Sequence, residues 1–191
     1  MNQSAVQDAA KYVAEQIGFS MRGLANKYGA EEIYVFAIEV AGDFAAVFKA
    51  ANTEGHYDRS TGGAASRWQP SEWFANGMDI DIAPLIELLN DPTFQPEPEK
   101  DKQRPKHQAE WLKVMLEGLR MAREAGHLQW AGRPIVAFCT VQDSGLAGWF
   151  ACESARLVNP PGLWNHIKAE FVEAWEGWEI DDEADKVRAA F

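Results

Sequence analysis

The sequence predicts one α+β domain over residues 1–191, with a mainly antiparallel sheet built from two β-hairpins packed with helices. Three observations carry that expectation. Ile33–Val40 and Ile135–Val141 are β-branched, aromatic, nearly continuous apolar runs, each followed by turn-forming residues. A long stretch of helical periodicity, 106–125, separates them. The length of 191 residues is ample for one core and short for two.

The first element opens with the capping-box spacing Ser4-Ala-Val-Gln7, and Asp8 complements the helix dipole. Val6, Val13, Ile17, Met21, Leu24 and Tyr28 then recur at steps of three, four or seven, and Gly29 can end the run, so a helix is expected over 4–28. Gly18 in its middle costs about 1 kcal/mol relative to Ala, which packing has to offset. Residues 33–40 suit a strand buried on both faces. Ala41-Gly-Asp43 supplies a turn and Phe44–Ala50 a partner, which makes 33–50 the first hairpin.

From Asn52 to Gly77 the pattern is irregular, with Trp68, Trp73 and Phe74 embedded, and a short helix follows over 80–90. Residues 91–105 hold four prolines among alternating charges and read as an exposed linker or insertion. In the helix of 106–125, Glu110, Lys113, Glu117, Arg120 and Glu124 form a narrow polar arc. The wide apolar remainder, Trp111–Ala122, implies packing on two sides or a partner contact. A second hairpin is expected from 135–141 and the residues after Gly148, a register that sets Cys139 opposite Cys152. Asn159 precedes a helix running to about Glu176, and Asp181 caps a terminal one carrying Ile180, Ala184, Val187 and Phe191.

Composition narrows the function classes. Hydrophobic residues at 47%, aromatic at 12% and charged at 25% are globular proportions. The net charge of −11 disfavours nucleic acid and anionic membrane surfaces as partners and suits a basic protein. The acid is concentrated at both ends, with net −7 over residues 1–95, +2 over 96–137 and −6 over 138–191. The first ten residues lack the basic and apolar regions of a secretory signal, and the most apolar stretch, 33–51, is broken by Glu39, Asp43 and Lys49. Two cysteines fit a reducing compartment. A cytoplasmic location, no membrane span, no cofactor and no metal site are therefore expected.

Chemistry-bearing motifs are sparse. No glycine-rich phosphate loop occurs, Ser144 in Asp143-Ser-Gly145 suits a turn, and His56, His107, His127 and His166 have no metal-ligand spacing. The densest polar cluster, Asn52–Asp58, offers Glu54, His56 and Asp58 to acid–base work or a small ligand, while Asn52 and Thr53 suit capping. The stronger candidate is partner binding. Glu173, Glu176, Glu179, Asp181 and Asp182 interleave with Trp175 and Trp178, pairing charge for encounter with aromatic anchors. The expected function is a non-enzymatic cytosolic binding protein, the alternatives being an enzyme or ligand-binding protein using the 52–58 loop, or an oligomerisation module using 111–122.

Four stretches taken in order, Tyr34–Asp58 with its Asn52-Thr-Glu54 step, Arg67-Trp-Gln-Pro-Ser-Glu-Trp73, Phe138–Ser144 and Arg156-Leu-Val-Asn-Pro160, resemble the bacterial family named domain of unknown function 4303. The resemblance covers most of the chain. It implies a small intracellular bacterial protein with no established activity, from a family associated with toxin and immunity neighbourhoods. No catalytic residues come with it. On that footing the basic partner is a toxin and the chain its immunity protein.

Overall fold

The computed structural model describes residues 3–29, 32–42, 46–58, 63–73, 75–79, 104–178 and 181–191. Helix α1 (Gln3–Tyr28) and α4 (Arg104–Glu124) lie within a residue or two of their predicted bounds. Between them come β1 (Ile33–Val40), β2 (Val47–Thr53), the short helices α2 (Glu54–Tyr57) and α3 (Gly63–Trp68), a 3-10 turn Pro70–Glu72, and β3 (Ala75–Asp79). After α4 follow a small two-stranded ribbon, β4 (Gln129–Trp130) with β5 (Arg133–Pro134), then β6 (Val136–Val141), α5 (Ala147–Val158), α6 (Pro161–Ala174) and α7 (Asp182–Ala190). The predicted helix at 80–90 lies outside the described residues, as does the predicted linker up to residue 103, while its last two residues, Arg104 and Pro105, open α4.

The sheet runs in the order β3-β2-β1-β6. The hairpin of β1 and β2 is present, and β2 pairs antiparallel with β3, a strand that sequence reading left irregular. Two expectations are corrected. β6 runs parallel to β1, so the sheet is mixed. The second hairpin is replaced by a helix, because residues 147–158 place Ala147, Phe150, Ala151, Ser154, Ala155 and Val158 on one buried stripe at steps of three and four. Glu153 and Arg156 pair on its outer face at 2.6 Å. Cys139 and Cys152 consequently do not oppose each other across a ladder. Both are free thiols, Cys139 buried in β6 and Cys152 half-buried on α5.

Both sheet faces are covered. Ile33, Phe36, Ile38 and Val40 of β1, with Val47 and Cys139, pack under α1, α4 and α7. The apolar arc of α4 is filled inside the chain, with Leu112, Val114, Met115, Leu119 and Ala122 fully buried. Two glycines make the helix packing possible. A Cβ on Gly118 would stand 2.5 Å from Val13 Cγ1 of α1, and one on Gly18 would stand 2.8 Å from the His127 ring. On the opposite face, Val35, Ala37, Ala50, Val136 and Phe138 meet an aromatic layer of Trp68, Trp73, Trp164, Phe171 and Trp175. No described helix is long and apolar enough to cross a membrane.

Candidate functional site

Glu39 is an acid inside a strand that is otherwise apolar, and its register sets it beside Thr140 of the parallel strand and Phe48 of the antiparallel one. Alternation of side chains along β1 turns it toward the aromatic layer, between Ala37 and the strand end. It is 3% exposed, and its Oε2 has no hydrogen-bond partner among the described residues. Burial pushes its carboxyl up to about 7, and the nearby charge of Asp143 acts in the same direction. Glu39 lines a cavity of about 100 Å³ with Gln69, Ser71, Thr140, Gln142, Asp143, Trp175 and Trp178.

Two of the side-chain donors in the lining are engaged elsewhere. The Thr140 hydroxyl donates to Ala147 O at 3.1 Å, and Gln69 Nε2 donates to Ala174 O at 2.6 Å. The indole N–H groups of Trp73 and Trp175 are buried and have no partner among the described residues. Trp175 packs on Trp178 with ring centroids 6.0 Å apart, and Trp178 remains 41% exposed. The turn at 142–146 seats this wall. Asp143 takes a left-handed φ of 48°, and Ser144 Oγ accepts from Leu146 N at 3.1 Å, as expected of turn chemistry. A Cβ on Gly145 would stand 3.0 Å from Asp181, and one on Gly148 would stand 3.1 Å from Trp175 O and from Trp178 Cβ. The absent side chains at 145 and 148 are what allow Trp175, Trp178 and Asp181 to approach this turn so closely.

Of the residues read as a partner surface, Glu173, Glu176 and Asp182 are exposed and none of them forms an ion pair among the described residues. Asp181 is exposed and caps α7, accepting from Ala184 N at 2.7 Å. Glu179 lies outside the described residues. Trp175 is 7% exposed and belongs to the core, against Phe138 and Phe171, so the outward aromatic is Trp178 alone of the two.

The 52–58 loop is organised around a cation that the chain supplies itself. Thr53 Oγ1 accepts from His56 N at 3.1 Å and caps α2, whose C-terminal cap is the exposed Asp58. Glu54 accepts from both terminal nitrogens of Arg67, at 2.8 and 3.2 Å. The guanidinium lies 4.6 Å over Tyr34, 4.5 Å over Tyr57 and 5.3 Å over Trp68, with Glu170 at 3.8 Å. Burial works against the Arg67 charge, but Glu54 outweighs it and raises its pKa. Asn52 Nδ2 donates to Tyr34 Oη and Ser66 O at 3.0 and 3.3 Å, and Tyr34 Oη donates to Arg67 O at 2.8 Å. Burial pushes the Tyr34 phenol above its ordinary range. The cage locks β1, β2, α2 and α3 together.

Sequence reasoning missed Glu39 and Arg67. A lone acid within a run buried on both faces was the available signal for the first. No described group of three His, Cys, Asp or Glu side chains is arranged to hold a metal. Asn52, Glu54 and Arg67, which carry the family resemblance, meet in the cage, and Ser144 and Asn159 flank β6. Searches of curated proteins and of solved structures return no match. A family profile described as Domain of unknown function (DUF4303) matches residues 13–160, taking in Glu39 and Asp143 and stopping short of Glu173–Asp182. The chain belongs to the DUF4303 family.

Proposed function

We propose that this chain is a non-enzymatic cytoplasmic binding protein that captures a basic protein through the surface around Trp178, as an immunity protein would capture a basic toxin. The observation that carries the reading is Trp178, 41% exposed, on a segment whose exposed carboxylates Glu173, Glu176 and Asp182 hold no described cation. Asp143 adds a fourth carboxylate from a different element that lines the same cavity as Trp178. An exposed indole beside unpaired acids combines steering with a desolvated anchor. The overall charge of −11 acts in the same direction.

The test is capture from the native host at about 50 and 300 mM salt, which brackets a Debye length of about 10 Å. The unmodified chain is compared with Glu173→Lys/Glu176→Lys/Asp182→Lys. The expected result is a stoichiometric basic protein retained at low salt by the unmodified chain and lost with the triple variant. Equal retention by both, or a captured partner without basic excess, overturns the reading.

A further inference from the structure

The Arg67 cage and the Glu39 cavity share a set of parts. Arg67 is held by a carboxylate, Glu54, between the rings of Tyr34 and Tyr57. The Glu39 cavity has a carboxylate at 3% exposure with Oε2 unpartnered, and Trp175 and Trp178 as aromatic walls. In the cage the chain provides the cation, whereas among the described residues no Lys, Arg or His lines the cavity.

Resting on the basic-partner reading, we infer that the Glu39 cavity is the socket for one primary ammonium group, a lysine of the bound protein. The volume of about 100 Å³ takes the end of an alkylammonium, given that a water occupies about 30 Å³ in the liquid. The buried Oε2, without a donor among the described residues, suits the compact point charge of an ammonium. Two indoles, Trp175 and Trp178, line the walls, and Asp143 adds a second carboxylate. Lysine then pairs with Glu39 in the complex, and the buried acceptor gains its missing donor.

The socket is tested separately from the partner, by 19F NMR of the full chain carrying 5-fluorotryptophan, titrated with n-butylammonium chloride. n-Butanol and sodium chloride serve as controls. At pH 8.0 the Trp175 and Trp178 resonances should shift saturably, with a dissociation constant on the order of 10 mM for so small a ligand. With the Glu39 carboxyl at about 7, affinity should fall about 30-fold at pH 5.5 as Glu39 protonates. Among the described residues Asp143 is the other ionisable group lining the cavity, Asp181 sits beside it against Gly145, and the flanking Gln69, Ser71, Trp175 and Trp178 do not titrate.

Glu39→Gln should abolish the shift while retaining a native melting transition. Should that variant not fold, Trp178→Ala replaces it, with an expected several-fold loss of affinity read on Trp175. A shift equal with butanol, none at pH 8.0, or one that persists undiminished at pH 5.5 overturns the socket, whatever the capture experiment returns. Butylammonium binding without a captured basic protein overturns the partner reading and with it the lysine assignment. Where a partner is captured, Glu39→Gln should lower its retention, and unchanged retention makes the cavity a free-amine site and overturns the lysine assignment.

Discussion

The side-chain amide of Asn159 exchanges two hydrogen bonds with the backbone of Ala137: its Oδ1 accepts from Ala137 N at 2.9 Å and its Nδ2 donates to Ala137 O at 2.8 Å. β6 is the edge strand of the described sheet, and this amide stands where a further strand would pair. Two residues on, Ser154 Oγ accepts from Cys139 N at 2.8 Å and lies 2.9 Å from Cys139 O. Arg123 completes the arrangement, donating to Leu128 O, Ile135 O and Asn159 Oδ1 at 2.7, 2.7 and 2.9 Å. Burial lowers its pKa to about 10.

Asn159→Leu should destabilise the fold by about 3 kcal/mol, because it strips both edge groups of Ala137 and one acceptor from a half-buried cation. Ser154→Ala should cost about 1–2 kcal/mol. Urea unfolding measures both, and hydrogen exchange should show lost protection at Ala137 and Cys139 respectively. A cost under about 0.5 kcal/mol for Asn159→Leu contradicts its role as the edge partner.

Gly118→Ala gains about 1 kcal/mol of helix propensity but forces a methyl to within 2.5 Å of Val13 Cγ1 and 3.1 Å of Ala10 O, an overpacking costing about 1–3 kcal/mol. Net destabilisation is expected. The double variant Val13→Ala/Gly118→Ala should lose less than the sum of the two single losses, which a thermal-melt cycle reads directly.

Glu39 makes stability depend on pH. Its carboxyl is raised in the folded chain, from 4.5 to about 7, so folding favours the protonated form. The contribution is full below about 4.5 and is lost as pH rises through about 7, where ionised Glu39 costs up to about 3 kcal/mol. Glu39→Gln should therefore match the unmodified chain near pH 4.5 and exceed it at pH 8. Parallel melting curves across that range would refute this if the difference between the two proteins stayed constant.

The thiols should be slow nucleophiles. Burial pushes Cys152 up to about 11 and Cys139 well above its ordinary value. Alkylation by iodoacetamide at pH 7.5 should run about 100-fold slower than at a free cysteine, since the thiolate is the reacting form. Intact mass read with and without denaturant checks it. Rapid native modification of Cys139 is the contrary result.

Several elements were legible in the sequence because each is decided by neighbours a few positions away. The stripe from Val13 to Leu24 runs through α1, that from Leu112 to Ala122 through α4, and Asp181 caps α7 as its position before an acidic first turn indicates. The nearly continuous apolar run of β1 declared burial on both faces. Residues 147–158 were misread because Trp149 and Phe150 suit a strand when taken two at a time. The helical stripe of small residues shows its purpose only once β6 is beside it, with Ser154 against Cys139 and Ala151 and Ala155 in the aromatic layer.

The acidic surface was visible in the chain order, and the cavity beneath it was not. Glu39, Asp143 and Trp178 are far apart in sequence and line one space only because β1 and β6 run parallel and Gly148 lets Trp175 and Trp178 approach. The sequence by itself determined the amphipathic helices, the buried central strand and the excess of acid, all set by local periodicity and side-chain charge. Strand order, the direction of β6, the exchange of a hairpin for a helix and the burial of Glu39 were decided by tertiary structure. Each follows from which distant backbone and side-chain groups had to be paired or buried together, and no local pattern encodes that pairing.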